Sequence, residues 1–513
     1  MKWINRKIKF RFGRCIFISP DSLNTTIKIH CLFIALSLTL LAGQTPADLA
    51  AHAEVTPTPA SRKTHVPRMS YIENGAIRLG IDLNLGGAIT YLAPATNLEL
   101  NVINSSDWGR QVQLSYYSGP VPYNPSGTTM NQSWHFIGWN PIQSGDCYGF
   151  ESQVLQHTNT GKMLYTRLIP MHWPLKNVPG ECECEVWLEL DGPVVKAKCR
   201  LTNQRGDTTQ YPARTQELPA VYVNAPFYRL MTYGGDRPFT GGALTQIKSR
   251  LENGRWGNWQ ATENWAAEVN DAGWGLGVWN PDAYAFSGGF AGKPGVGGPQ
   301  DFPTGYIAPN RSDILDHNIV YDYRYELILG SLAEIRARVY SHKPQPAPLT
   351  FQFRHNRQGW HYQDASDQGW PVGGELDVRS TGKAPHIDSP DFFIRAADAP
   401  QLTIEAAFST GQSNASVRWQ TLDRKGFVGT QKKCFPVVPD GQFRRYEVNL
   451  SASPKYVGII TQLRLDVLSA SHPAHVRLKS LTLGPDVLLR ETKATSAAAL
   501  PNSLRVRLKS HEN

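Results

Sequence analysis

From Met69 to about Tyr340 the chain is a succession of short runs that alternate apolar and polar residues, separated by Gly, Pro, Asn and Asp. Alternation with period two marks strands half-buried in a sheet, and sustained 3.6-residue periodicity is scarce. Val320–Leu329 is the clearest case. Tyr321, Tyr323, Tyr325 and Leu327 fall on one face, and Asp322, Arg324, Glu326 and Ile328 on the other. Ala76–Leu83, Gln111–Tyr117 and Glu185–Leu190 have the same character. The best helical pattern lies around Thr262–Val269. About 270 residues of mostly antiparallel strand call for a large sandwich.

The 44 Gly and 36 Pro agree with a turn-rich, all-β chain. Pro344-Gln-Pro-Ala-Pro348 marks a boundary. A bridging stretch with Trp360, His361 and Trp370 follows, and a second β unit runs from about Gly374 to Gly484, the size of one sandwich. The expected organisation is a signal peptide over 1–53, a linker over 54–68, a large sandwich over 69–343, a bridge over 344–373, a second sandwich over 374–486 and a flexible tail over 487–513.

The formal net charge of +9 is concentrated at the start. Residues 1–53 hold seven Lys/Arg against two Asp, so the long remainder is ordinary in charge. No Lys/Arg stripe interleaved with aromatics occurs in the body, which argues against nucleic acid as a partner. The basic stretch precedes an apolar run, Leu32–Ala42, and then Ala51-His52-Ala53. That is the three-part layout of a secretory signal peptide, with the mature chain starting near Glu54. The apolar run is too short to span a bilayer as a helix. An uncleaved anchor and a misassigned start are the alternatives. The expected location is secreted or periplasmic.

Export permits disulfides. Cys147, Cys182, Cys184, Cys199 and Cys434 remain after cleavage, an odd number. If Leu190 faces Pro193 across the Asp191-Gly192 turn, Cys184 faces Cys199. Pro193 lacks the N–H that this register would use, which leaves the register open. Cys182, Cys184 and Cys199 could instead hold a metal, but no fourth ligand stands at zinc spacing.

The second β unit carries Asp388-Ser-Pro-Asp-Phe-Phe-Ile-Arg395, Val417-Arg-Trp-Gln-Thr421, Asp440–Leu450, Val457–Asp466 and Val476–Leu483. In this order they resemble the jelly-roll modules, similar to carbohydrate-binding modules, attached to secreted bacterial polysaccharide-acting proteins. In such modules these strands are mainly structural, so no sugar site is transferred to Trp419 or Tyr446. Ala76–Leu92, with Leu85-Gly-Gly-Ala-Ile-Thr-Tyr-Leu92, resembles the opening of galactose-mutarotase-like supersandwiches, which occur in sugar epimerases, glycoside hydrolases and polysaccharide lyases. The catalytic His and Glu of that family are not found at a recognisable spacing.

Sugars are bound by flat aromatic faces and by planar polar side chains. Trp108, Arg110, Gln113, Tyr116 and Tyr117 cluster in one stretch, followed by Tyr123, Trp134-His135 and Trp139-Asn140, and later by Trp256, Trp259, Trp265, Trp274 and Trp279. The substrate-binding candidates are Trp108, Arg110, Gln113, Tyr117, Trp134, His135, Trp265, Trp279 and His317; burial in the core is the competing role for each Trp. Glycoside hydrolysis needs two carboxyl groups flanking the bond. Glu217, beside Pro219 and Tyr222, leads; Glu268 and Asp271 follow, with Asp107, Asp282 and Asp301 behind them. A lyase would use His135, His317 or Tyr321 as base and Arg110 against a uronate carboxylate. A non-catalytic glycan binder is the third reading. No G-x-S-x-G elbow, phosphate loop, dinucleotide fingerprint or H-E-x-x-H occurs, and Lys293–Gly298 is Gly-rich without the Lys-Ser/Thr end of a phosphate loop. No cofactor is implied. Structural calcium is compatible with such sandwiches, although no ligand loop is readable.

Overall fold

The computed structural model describes residues 65–250, 256–342, 348–468 and 474–485. The signal peptide expected over 1–53, most of the linker over 54–68 and the tail over 487–513 lie outside the described residues. What is described is all-β apart from a single α-helix and a few 3-10 turns.

Two antiparallel sheets face each other in the first sandwich. One has ten strands, in the spatial order Met69–Glu73, Ile77–Asp82, Ala88–Pro94, Val112–Ser115, Arg214–Asn224, Thr304–Asp313, Ala285–Ala291, Gly257–Gln260, with Pro141–Ile142 and Met171–His172 attached beside Val112–Ser115. The other has nine: Thr245–Ile247, Arg229–Thr232, Trp265–Val269, Trp274–Trp279, Val320–Ser331, Val194–Asn203, Cys182–Asp191, Met163–Ile169 and Gln153–Asn159. The alternation in the sequence decides the core between them. Leu79, Leu114, Val221 and Ile307 project from the first sheet, and Leu188, Leu201, Leu276, Tyr321, Tyr323, Tyr325 and Leu327 from the second. The Val320–Leu329 pattern thus turns its tyrosine face inward, as its periodicity predicts.

The helical expectation over Thr262–Val269 is overturned. Trp265–Val269 is a strand whose odd and even residues part to opposite sides: Trp265, Ala267 and Val269 outward, Ala266 inward. The α-helix is Leu332–Ser341, entered through a capping box in which Ser331 and Glu334 exchange hydrogen bonds. Its Ile335 and Val339 cover the outer face of the nine-stranded sheet, against Trp265, Trp279 and Ile328. Gly277 makes the approach close, since a Cβ there would lie 2.5 Å from Ile335.

The cysteine register also differs from the expected one. Gly192-Pro193 forms the turn and Leu190 pairs with Val195, so Cys184 faces Leu201 and Cys199 faces Val186. Pro193 in the turn is spared a ladder hydrogen bond it could not make. All five described cysteines are free thiols.

The second sandwich has a jelly-roll order. Its eight main strands are Leu376–Ser380, His386–Asp388, Gln401–Ser409, Asn414–Thr421, Lys432–Pro436, Arg444–Asn449, Ile459–Asp466 and His475–Gly484. The first, eighth, third and sixth form one sheet; the second, seventh, fourth and fifth form the other. Short strands at Leu349–Gln352, His361–Gln363, Ala365–Ser366 and Ile394–Arg395 extend the two sheets. Trp419 is fully buried in this core and donates from Nε1 to the Lys455 carbonyl, 3.2 Å away.

The two sandwiches meet through buried charge. Arg357 pairs with Asp316 (2.6 Å) and, through two nitrogens, with Asp367 (2.6 and 2.7 Å), and Gln210 donates to both carboxylates.

Candidate functional site

The site is built on the strand Arg214–Asn224, and its cause is a bulge. In a regular strand Glu217 would share a face with Val221 and Val223, which point into the core. Pro219 has no N–H to give to a ladder, and the register against Thr304–Asp313 shifts between Glu217 and Val221. The extra residue moves Glu217 to the side of Ala220 and Tyr222, away from the inter-sheet core.

There Glu217 meets two phenols. Tyr306 OH donates to its Oε1 at 2.5 Å and Tyr117 OH to its Oε2 at 3.0 Å. Ser115 lies opposite Glu217 on the next strand and donates to Tyr117 OH at 3.0 Å. Around them Tyr222 packs on Tyr306 with ring centroids 4.7 Å apart, and Trp256 packs on Tyr306 at 5.1 Å. Ala220, Ala308 and Ser287 give this face a low floor. Asn310, opposite Glu217, donates to Ser287 at 2.9 Å. Two buried polar atoms here have no hydrogen-bond partner among the described residues: Asn310 Oδ1 and Trp256 Nε1.

Burial pushes the hydroxyls of Tyr117, Tyr222 and Tyr306 well up, and the nearby Glu217 charge pushes the same way; Arg110 offsets part of this at Tyr222. The phenols therefore stay protonated and act as donors. Glu217 is 6 % exposed, so the group is largely screened from water.

Glu268 and Asp271 do not join it. Glu268 lies on the nine-stranded sheet and points into the space between the sheets, its carboxyl lodged against Gly305. Gly305 and Tyr306 are successive residues, so they face opposite sides of their strand. Glu217 and Glu268 are therefore separated by the ten-stranded sheet. Glu268 is fully buried, and neither oxygen has a hydrogen-bond partner among the described residues. Burial raises its pKa well above the usual carboxylate range, and the nearby Tyr306 N–H offsets this without reaching hydrogen-bond geometry. Asp271 sits in the exposed turn between Trp265–Val269 and Trp274–Trp279, with Tyr228 OH and the Arg229 guanidinium beside it. The expectation that Glu217 faces either of them across a cleft is corrected: strand pairing sends the three to different surfaces.

The aromatic candidates divide likewise. Tyr117 is at the site. Arg110 is beside it: the Gln111 carbonyl accepts from the Tyr222 N–H at 3.0 Å, and Arg110 pairs with Asp107 at 3.0 Å. Gln113 shares the face but is committed, donating to the Arg110 carbonyl (3.1 Å) and accepting from Ser144 Oγ (2.7 Å). Trp108 is half-buried, edge-on to His65. Trp134 packs in the core against Trp173, and His135 contacts the Met130 carbonyl at 3.2 Å. Trp265 and Trp279 are corrected as cleft residues: they lie under the helix, Trp265 donating to Glu263 (3.0 Å) and Trp279 stacked on His342 at 3.9 Å. His317 is half-buried in the loop after Thr304–Asp313. Tyr321 is buried with Asp313 and Arg311, which removes it as a lyase base.

Tyr123 and Trp139 serve a different cluster. Both donate to Glu181, which also lies 2.9 Å from His172 Nε2. Burial would raise Glu181, but the His172 and Tyr123 contacts outweigh it and hold the carboxyl at about 2. Tyr306 and Asn310, both central to the site, escape a sequence reading; the alternation of Gly305-Tyr306-Ile307-Ala308 marks them as strand residues, but only the bulge at Pro219 reveals which partner they face. Among the described residues no group of three or more His, Cys, Asp or Glu could hold a metal ion.

No family model matches the chain, and no curated protein matches it. Similar solved structures include a galactose mutarotase related enzyme from Lactobacillus acidophilus (11% identity, 51% of this chain and 97% of that one, TM-score 0.32). A galactose mutarotase-like protein from Lactobacillus casei gives 13% identity over 51% and 99% of the two chains, TM-score 0.32. The 4-alpha-glucanotransferase of Thermococcus litoralis gives 12% over 51% and 39%, TM-score 0.29. The fold assignment itself stands on the strand order and the two facing sheets.

Proposed function

We propose that this protein acts on carbohydrate at the outer face of the ten-stranded sheet, with Glu217 as the proton-transferring group. The observation that carries the reading is the carboxylate held between Tyr117 and Tyr306, beside Tyr222 and Trp256. Aromatic faces suit the C–H surface of a sugar, and a fixed carboxylate suits its hydroxyls. The unpartnered Asn310 Oδ1 and Trp256 Nε1 supply a further acceptor and donor. With Glu268 behind the sheet, a single carboxylate flanked by phenol donors supports acid–base proton transfer on a sugar better than hydrolysis by a carboxylate pair. Export by the N-terminal segment and a carbohydrate-binding role for the jelly roll belong to the same proposal.

A second reading, a glycan binder without turnover, is favoured by one observation: both Glu217 oxygens already accept hydrogen bonds. A glycan panel separates the two. Reducing ends, ultraviolet absorbance of unsaturated products and anomer interconversion by NMR are followed together, for wild type and Glu217→Gln. Turnover by wild type, lost in Glu217→Gln with binding retained, is the expected result. Binding without any of the three signals would establish the binder, and the absence of binding across the panel would end the carbohydrate reading.

A further inference from the structure

The loop Gly292–Pro303 joins Ala285–Ala291 to Thr304–Asp313 and carries two exposed apolar side chains, Val296 (69 % exposed) and Phe302 (49 %). The loop is braced by hydrogen bonds to Asn104, Ser105 and Ala225. The Ser105 N–H donates to the Pro299 carbonyl (2.7 Å), the Gly295 N–H to the Ala225 carbonyl (2.9 Å) and Asn104 Nδ2 to the Asp301 carbonyl (2.9 Å). Arg110 completes the bracing. It donates to the Phe302 carbonyl, and its guanidinium lies over the Phe302 ring, 5.0 Å from the centroid. Arg110 is itself buried and held by Asp107 at 3.0 Å. The Phe302 ring thus has one face backed by a fixed cation while much of its surface meets water.

Its position matters. The Gln111 carbonyl, next to Arg110, accepts from the Tyr222 N–H, and Tyr222 packs on Tyr306, which donates to Glu217. Phe302, Arg110, the neighbouring Gln111 backbone, Tyr222 and Tyr306 thus form one series of contacts from the exposed ring to Glu217.

We infer that Phe302 is an outer stacking platform for a sugar ring, and that the site takes an oligosaccharide rather than a single sugar. A preorganised aromatic face adds affinity because no ordering cost falls due on binding. The inference rests on the carbohydrate reading of the Glu217 site and adds to it a substrate length and a residue that senses length. Arg110 is a positioning residue here, acting through Phe302.

The test uses the full chain and graded malto-, cello-, xylo- and chito-oligosaccharides, with affinity measured by calorimetry from disaccharide to hexasaccharide. Wild type should gain affinity with length in one series. Phe302→Ala should lower hexasaccharide affinity about three- to tenfold, the scale of one aromatic stacking contact, and leave the disaccharide unchanged. Phe302→Trp should restore the gain, and Arg110→Met should lower hexasaccharide affinity in the same sense as Phe302→Ala. Hexasaccharide binding unchanged in Phe302→Ala, or equal wild-type affinity for short and long chains, would overturn the platform and leave the carbohydrate reading standing. No binding in any series would overturn both. Phosphatidylglycerol vesicles bound by wild type and released by Phe302→Ala, with no length effect on glycans, would reassign the loop to a lipid surface and overturn the platform.

Discussion

Two glutamates lie on opposite sides of the same strand, Thr304–Asp313, and both are buried. Glu217 accepts from Tyr306 and Tyr117 on the outer face; Glu268 presses on Gly305 from the core side, with no hydrogen-bond partner for either oxygen among the described residues. Burial costs an ionised group far more than a neutral one unless hydrogen bonds or opposite charge compensate. Glu217 has two phenol donors to offset that cost. Burial raises the Glu268 pKa and so favours its neutral form. The same residue type is in one place held by two phenol donors and in the other buried without a hydrogen-bond partner among the described residues.

The sharpest way to break this contrast is to remove Glu217. Glu217→Leu takes away the acceptor that the Tyr117 and Tyr306 hydroxyls share, and losing a hydrogen bond at a buried group costs about 1–3 kcal/mol. We expect a loss of about 3 kcal/mol in denaturant unfolding, alongside complete loss of turnover. A neutral effect on stability would mean that the tyrosines find other partners and that Glu217 is not what organises them.

Glu268 should behave in the opposite sense. Glu268→Leu removes a buried carboxyl without partners, and a gain of about 1–2 kcal/mol at pH 7 is expected. The pH dependence is more telling. A carboxyl whose folded pKa is raised binds its proton in the native state while the unfolded chain has released it. Its contribution to stability is full below the unfolded value, near 4.5, and declines as the pH rises toward the folded pKa. The slope is at most about 1.4 kcal/mol per pH unit. Glu268→Gln should flatten the decline when melting is followed from pH 4.5 to 8. An unchanged profile would show that Glu268 is ionised in the fold or that another group carries the slope.

Tyr306→Phe takes one donor from Glu217 without altering the Gly305 side of the strand. A hydrogen bond to a charged acceptor is worth about 1.5–3 kcal/mol. A loss near the low end is expected, since Tyr117 OH remains, together with an upward shift in the acidic limb of any pH–rate profile as the carboxylate loses support. Loss of stability with an unmoved acidic limb would separate the phenol's structural role from any influence on Glu217.

Much of this architecture was legible in the chain. The Tyr321–Leu327 face alternates cleanly and lies where its period places it, and the order of motifs after Gly374 matches the jelly-roll strands. Glu217 stands out in the sequence because Pro219 and Tyr222 flank it with apolar bulk. Its partners do not, because Tyr306 lies 89 residues away and the pairing depends on a one-residue shift at a proline. Glu268 shares with Glu217 a setting among aromatics, but composition does not say which side of a sheet a residue faces. A helix over Thr262–Val269 is not what forms, because Trp265-Ala-Ala-Glu-Val269 suits either element locally. Pairing on both sides made it a strand, while the Ser331–Glu334 capping box marked the helix.

The smallest effect isolates the core side of the strand. An ideal Cβ on Gly305 would lie 1.8 Å from Glu268 Oε2, so Gly305→Ala forces the carboxyl to move within a packed core. Overpacking of this kind costs about 1–3 kcal/mol, and the low end is expected because the obstructing group is the end of a flexible side chain. The same change in a Glu268→Ala background should cost nothing measurable, because the obstruction has gone. The double-mutant cycle therefore reads the contact directly, with a coupling of about 1 kcal/mol. Additive losses would mean that the glycine is required by the backbone or by the Tyr306 side of the sheet. In that case the two faces of the strand are mechanically linked, and the separation of Glu217 from Glu268 is one of chemistry alone.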